Sequence, residues 1–352
     1  RRFSRPPFTT STLQQTAAYT LGYSSKQTMV LAQQLYEEGL ITYHRTDAVN
    51  LSKQAIAMSR GFIKDKYGDK YLPKKARVFK GKSKNAQEAH EAIRVTDVKL
   101  TKDQVPSQGA KLGPTHAKLY DLIWRRFVAS QMTPAVYDQT QVLIKAVNQK
   151  NSDQEYQLKT NGSVMKFDGW RKLFPTGGDN LLPELEEGEN LNYLDLNAAQ
   201  KFTKPPARFN EASLVKELEQ RGIGRPSTYA SIISVIQDRG YVQKENKYFM
   251  PTVVGNTVTD FLMDHFSKIM DYDFTAEMED DLDAISRGEE KWKKVVGEFW
   301  KPMEGKIEDV IENADRAKIP VEKTGEKCPK CGKEEGGEIV IRTGKYGKFK
   351  SC

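Results

Sequence analysis

The apolar pattern changes period twice along the chain, and that most limits what it can fold into. Up to Thr133-Pro134 apolar residues recur at helical spacing, and from Tyr137 to about Leu196 β signals take over. Helical spacing returns after Lys204-Pro205-Pro206. Helices repeat their faces every 3.6 residues and strands every second residue, so these stretches build different layers. A chain of 352 residues also exceeds what one compact core holds, which sets an expectation of two to four domains. The expected class is α+β and multidomain. Its parts are a helical domain over 1–132, a β-rich arm over 133–200, a helix-turn-helix region with trailing helices over 201–320, and a small module over 321–352.

Local signals fill in this outline. Leu13, Ala17 and Leu21 share a helix face that Gly22 stops, and a second helix from Ser24 or Ser25 runs through Met29, Ala32, Leu35 and Tyr36 to Gly39. Leu40 to Asp47 reads as extended, and a helix begins near Ser52. Thr115 is placed to cap a helix with Leu119, Leu122, Ile123 and Phe127 on one side. Gln141–Ile144 and Tyr156–Leu158 read as strands flanking a turn from Asn148 to Asp153, with further turns at Asn161-Gly162 and Gly177-Gly178. Leu214, Val215 and Leu218 predict a helix ended by Gly222. Pro226 opens another, with Tyr229, Ile232, Ile233 and Ile236 inward and Gly240 at its end. Tyr241-Val242 and Tyr248-Phe249 then read as a hairpin. That order is a winged helix-turn-helix, and it equally describes two core helices with a hairpin. Helices are expected over 256–270 and 276–313.

Composition excludes some classes and favours one. The 38% apolar and 29% charged content suits a water-soluble globular chain. No apolar run nears the roughly 20 residues of a bilayer span, and the first residues do not read as a signal peptide, so a cytoplasmic location and no membrane partner are expected. A net charge of +8 favours a polyanionic partner. All three cysteines lie at the carboxyl end, which argues against a disulfide framework and towards a metal ribbon.

Four segments carry chemistry. In Gly39–Asp47 an extended backbone puts Tyr43, Arg45 and Asp47 on one face. A phenol attacking a phosphodiester needs a cation for the charge that builds on the phosphoryl oxygens, and an arginine fork suits them. Asp47 could orient that arginine. The same pattern fits a packing tyrosine, one of fifteen. In Ala86–Arg94, His90 and Arg94 stand four apart and would share a helix face. His90 could then hold a phosphate or reacting oxygen, or the segment could be a charged surface helix. Arg225-Pro-Ser-Thr-Tyr229 puts a guanidinium at a helix amino terminus, which suits a phosphate as well as ordinary capping, with Arg239 at the far end. Cys328-Pro-Lys-Cys331-Gly332, with Cys352, gives three ligands of a zinc ribbon that needs a fourth, or else unliganded thiols. The acidic run Glu277–Asp283 reads as a solvated helix face with Met278, Leu282 and Ile285 inward, and no metal is assigned to it.

Taken together and in order, these segments resemble the bacterial type IA DNA topoisomerases, from about residue 3 to the end. The resemblance is carried by Pro7–Gln15, the Tyr43 segment, Gln87–Arg94, Phe167-Asp-Gly-Trp170 and Lys204–Phe209. It continues through Glu211–Leu218, Arg221–Ser231, Asp238–Tyr241 and Tyr272–Ala276. It implies that Tyr43 is the nucleophile of a 5′-phosphotyrosine link, assisted by Arg45, with His90 near the scissile phosphate and Asp47 and Arg94 at matching positions. Arg225, Thr228 and Arg239 match contacts to single-stranded DNA, and Arg94 is expected among the DNA-binding residues. The implied activity is ATP-independent relaxation of negative supercoils by strand passage, which accords with the lack of a P-loop. The parent would have a toroidal architecture, act on the bacterial nucleoid, and bind Mg2+ through an amino-terminal acidic domain. This chain is expected to be a fragment lacking that domain, with zinc possible at the incomplete ribbon. Departures are His44, where methionine or serine is expected, Ala48 in place of serine, and Val95 in place of proline.

Two other readings compete. The chain could bind single-stranded DNA with no chemistry, or it could be a winged-helix regulator, which predicts duplex binding and gives Tyr43 no role.

Overall fold

The computed structural model describes residues 1–80, 90–148, 151–175, 177–315, 317, 319–331, 337–344 and 347–352. Ala86–Ala89, residues 149 and 150 of the expected 148–153 turn, and Gly332 lie outside them. The chain divides into two compact units, one of residues 1–10 with 31–206 and one of 11–30 with 207–352. Two helices run across these boundaries, α1 (Thr10–Leu21) and α2 (Ser25–Glu37). The expected stops hold, with Gly22 and Gly39 at φ of 71° and 72°, a conformation glycine adopts without a Cβ penalty.

The first unit is built on α3 (Lys53–Tyr67) and α4 (Pro114–Ser130). Ser52 caps α3 as anticipated, accepting from Ala55 N. Thr115 does not cap α4: Gly113 is the cap, Pro114 takes the first helical position, and Gly113 N donates to His116 Nδ1 at 3.0 Å. Leu119, Leu122, Ile123 and Phe127 are buried as expected. Ile63, Tyr71, Val98, Val128, Ala129, Met132 and Leu173 form one apolar cluster. From this core a long antiparallel ribbon extends, β1 (Val136–Asn148) paired with β2 (Asn151–Phe167), with Ile144 opposite Leu158. Asn161-Gly162 lies inside β2 rather than in a turn: Gln141 and Thr140 pair with it, and Gln139 and Asp138 continue the ladder beyond.

The helix on which His90 and Arg94 would share a face is absent over 90–94. His90 to Val95 runs extended, with bridges from Phe8 to Ile93 and from Ile41 to Val95. Pairing with two chain segments outweighs the helical spacing of His90 and Arg94, so the two do not share a helix face.

In the second unit, α5 (Glu211–Arg221) ends at left-handed Gly222, as the sequence predicts. The turn of Pro226–Thr228 precedes α6 (Tyr229–Asp238), which therefore starts three residues later than expected. The hairpin β3 (Val242–Glu245) and β4 (Tyr248–Pro251) follows, turning through Asn246 and Lys247, both at positive φ. Val215, Tyr229, Ile233 and Phe249 form its core. Three further helices follow where two were expected: α7 (Val253–Met270), α8 (Tyr272–Ser286) and α9 (Trp292–Asn313), with Gly288 at φ 76° in the second break. A Cβ on Gly255 would collide with the Tyr241 carbonyl, so α7 can approach the hairpin only through glycine. The inward role expected for Leu282 fails: α8 has no buried residue, and Leu282 is 52% exposed. Last comes a three-stranded antiparallel sheet, β5 (Glu322–Lys327), β6 (Glu338–Gly344) and β7 (Gly347–Ser351), with β6 central. Helical and strand regions thus alternate in the order read from the sequence, in the expected α+β class.

Candidate active site and nucleic-acid interface

The Tyr43 segment is pinned from both sides. On one side Thr42 N donates to Arg94 O (2.8 Å), Arg94 N donates to Thr42 Oγ1 (2.9 Å), and Thr96 N donates to Leu40 O (3.0 Å). On the other, Thr10 N donates to Thr46 O (2.9 Å), Thr46 N donates to Thr10 Oγ1 (2.9 Å), and Thr10 Oγ1 donates to His44 O (2.9 Å). The backbone bends at Thr42, His44 and Arg45 instead of running straight, yet exposure still alternates. His44, Thr46 and Ala48 are buried, Arg45 and Asp47 half-buried, and Tyr43 is 47% exposed. Tyr43, Arg45 and Asp47 are thus the less buried positions of the segment, alternating with buried His44, Thr46 and Ala48.

Tyr43 stands in an aromatic group. Tyr36, at the end of α2, meets it edge-on at 5.3 Å between centroids, and the His44 ring lies 5.1 Å from Tyr43 and 5.7 Å from Tyr36. Edge-to-face pairs at these distances fix ring direction. Both ring nitrogens of His44 are buried with no hydrogen-bond partner among the described residues. Burial pushes its pKa down, Arg45 adds to that, and Glu37 opposes it, so the imidazole is neutral at pH 7. The sequence flagged His44 only as a departure; its place under Tyr43 depends on the pins to Thr10.

His90 sits on the neighbouring extended segment and is exposed. Its carbonyl accepts from Asn50 Nδ2 at 2.8 Å, which ties it to the loop after Asp47. Arg94 points elsewhere: its Nε and Nη2 grip Glu91 at 2.8 and 3.0 Å, and Nη1 donates to Val95 O at 3.1 Å. Glu91 also accepts from Ser52 N at 2.8 Å. Burial raises the Glu91 pKa, but Arg94 and Ser52 outweigh it and hold the carboxyl below its usual range.

In the second unit, Thr228 Oγ1 accepts from Arg225 N at 2.8 Å, closing the turn before α6. The Arg225 guanidinium is held by Asp280 and Asp283 of α8, an arrangement the reading of that run as a solvated face missed. Arg239 is exposed at the end of α6. A buried acid that sequence reasoning overlooked, Glu211, accepts from Ser25 N (3.2 Å), Ser25 Oγ (2.9 Å) and Lys244 Nζ (3.2 Å). No local pattern marks it, because its partners lie far along the chain.

Cys328, Cys331 and Cys352 bring their sulfurs within 4.8 Å of one another, and Cys331 and Cys352 are 3.7 Å apart. Tetrahedral zinc–thiolate bonds would separate sulfurs by about 3.8 Å, so the three thiols suit three corners of such a site. Backbone N–H groups of Cys331 and Lys330 lower the Cys328 pKa to about 7, and neighbouring Cys328 and Cys352 raise that of Cys331 to about 11. A Cβ on Gly337 would stand 2.5 Å from Cys331 Sγ, so the return strand passes close over the knuckle only as glycine.

The chain thus combines an exposed, pinned tyrosine, two helices followed by a hairpin, and a terminal cysteine cluster, and the comparisons place that combination in a family. The chain belongs to the bacterial DNA topoisomerase family, whose model, described as DNA topoisomerase, matches residues 1–297. It is 50% identical to DNA topoisomerase 1 of Pseudomonas aeruginosa over 357 residues, covering 99% of this chain and 39% of that protein. With DNA topoisomerase 1 of Escherichia coli it shares 46% identity over 360 residues, covering 98% and 39% respectively. The structure of full-length topoisomerase I from Thermotoga maritima superposes with a TM-score of 0.77 at 37% identity, covering 100% of this chain and 56% of that one. The chain thus spans about two fifths of the curated relatives it matches.

Proposed function

We propose that this chain is the tyrosine-bearing part of a type IA DNA topoisomerase. Tyr43 attacks a phosphate of one DNA strand, forming a 5′-phosphotyrosine bond and releasing a 3′ hydroxyl. A second strand passes, and the hydroxyl then reverses the attack. Because the tyrosyl ester keeps the phosphodiester energy, relaxation of negative supercoils needs no ATP. Arg45 neutralises charge on the phosphoryl oxygens, Asp47 orients it, and His90 holds an oxygen of the same phosphate. Arg94, gripped by Glu91, supports the segment from behind. Arg225, Thr228 and Arg239 form the contact to single-stranded DNA.

The observation that carries this reading is the Tyr43 segment, pinned by Thr10 and Arg94, with Tyr43, Arg45 and Asp47 its less buried positions. The four-part division at 132, 200 and 320 belongs to the same proposal. So do a cytoplasmic, nucleoid-associated location and a separate acidic domain binding Mg2+, which would neutralise phosphate charge when bound. Among the described residues, no helix is long and apolar enough to cross a membrane.

The test is covalent capture. The chain is incubated with end-labelled single-stranded oligonucleotide and Mg2+, denatured, and run beside Tyr43→Phe. A shifted band absent from the variant is the expected result. A band that survives in Tyr43→Phe sinks the assignment. No band with oligonucleotide binding intact favours the second reading, a binding fragment whose chemistry needs the rest of the protein, as its two-fifths coverage of the relatives would allow. Preference for duplex over single strands would instead favour a winged-helix regulator.

A further inference from the structure

Arg225 enters the reading above as a phosphate contact, yet its guanidinium is already engaged. Nε donates to Asp283 Oδ2 at 3.1 Å, and Nη1 donates to the carbonyls of Gly222 (2.9 Å) and Gly224 (3.0 Å). Nη2 lies 3.0 Å from Asp280 Oδ1 and 3.0 Å from Asp283 Oδ2. Glu279 adds a third negative charge nearby. An arginine whose donors are already taken by these groups can hold a phosphate only where one of its contacts gives way.

The two aspartates are not equivalent. The Asp283 side chain is 27% exposed and meets the guanidinium at two nitrogens, whereas that of Asp280 is 73% exposed and meets one. A solvent-facing single contact is held weakly, while a two-point grip on a planar fork also fixes its direction. With Nη1 capped by two carbonyls and Nε by Asp283, the one edge of Arg225 that faces an easily displaced partner is Nη2.

We infer that Asp280 is a placeholder for a nucleic-acid phosphate on Arg225, and that Asp283 is a positioning residue that keeps the guanidinium aimed while phosphate replaces Asp280. This rests on the proposed contact between Arg225 and single-stranded DNA. In the exchange the guanidinium keeps the same number of anionic partners, and the Asp280 carboxylate turns into water. Two neighbouring acids of equal charge thus have opposite effects on binding.

The experiment measures binding of a fluorescein-labelled oligothymidylate to the full chain by fluorescence anisotropy over a range of salt, with thermal melts of every variant. Asp280→Asn is expected to bind about two- to fivefold tighter at low salt, a gain that shrinks as salt is added. Asp283→Asn is expected to bind more weakly than the parent, and Arg225→Gln placed on Asp280→Asn removes the gain. If Asp283→Asn melts early, Asp283→Glu takes its place: it keeps the charge, moves the oxygens by one methylene, and is expected to weaken binding. Equal tightening by both asparagine variants means a bulk charge effect and overturns the inference, as does no gain in Asp280→Asn. Loss of binding in Arg225→Gln without a gain in Asp280→Asn sinks the exchange alone. Unchanged binding in Arg225→Gln sinks the DNA-contact reading of this residue, and the exchange with it.

Discussion

Glu91 grips Arg94 through both carboxylate oxygens, at 2.8 and 3.0 Å, with the two side chains 23% and 14% exposed. This pair locks the extended segment that flanks Tyr43, and its removal leaves a largely buried guanidinium unpaired. Glu91→Ala is expected to cost about 2–3 kcal/mol, read from denaturant unfolding. The pH sign follows from the carboxyl being held low in the fold. The pair's stabilisation is present above the unfolded glutamate value of about 4.3 and is lost as pH falls through the lower folded value. Glu91→Ala should therefore flatten the acid limb of the stability curve.

Two buried histidines act in the next pH window. Burial lowers the pKa of His116, whose Nδ1 accepts from Gly113 N and whose Nε2 contacts Gln34 Oε1 at 2.7 Å. Burial, with Arg45, lowers that of His44. A depressed histidine stabilises the fold above its unfolded value of about 6.5 and withdraws that stability as pH falls below it. The melting temperature should drop between neutral and mildly acid pH, with a shallower drop in His116→Gln.

Glu211 should be the costliest acid to remove from the second unit. It is 5% exposed and holds the start of α2 through Ser25 and the hairpin through Lys244. Glu211→Ala is expected to lose about 3 kcal/mol, because it strands Ser25 N–H and leaves Lys244 unpaired. Limited proteolysis near residues 22–25 should accelerate in parallel.

Tyr43→Phe separates chemistry from folding. The side chain is 47% exposed and its ring contacts survive in phenylalanine, so stability should stay within about 0.5 kcal/mol of the parent. A large loss in melting would show that the hydroxyl is a structural group.

Zinc supplies a further check. With Cys328 lowered to about 7 and Cys331 raised to about 11, binding must expel a proton from Cys331 at neutral pH. Stoichiometric Zn2+ should acidify an unbuffered sample and shield the thiols from a thiol reagent. Cys331→Ser should lose both effects.

Much of this was legible locally. Glycines at 22, 39 and 222 stop helices where φ turns positive, and the inward faces of α4 and α6 follow from helical spacing. The alternation of burial from Tyr43 to Ala48 was legible too, because it survives the bends. What escaped depends on distant partners. The 90–95 segment looks helical until Phe8 and Ile41 claim it, and Asn161-Gly162 resembles a turn until β1 pairs across it. The acids of α8 look solvated until Arg225 folds onto them, and Glu211 is unremarkable without Ser25.

The threonine pins give the Tyr43 segment a fixed phase. In an extended run, a slip of one residue swaps the two faces. Here it would sink Tyr43 into the cavity now filled by His44 and lift the imidazole into solvent. Such a slip would have to break the bonds of Thr46 to Thr10 and of Thr42 to Arg94 together, since each bond addresses one residue and not its neighbour. Thr10 and Thr42 therefore work as an indexing mechanism. They settle which side chain is offered at the surface before any substrate arrives, and they do so from positions that need never touch it.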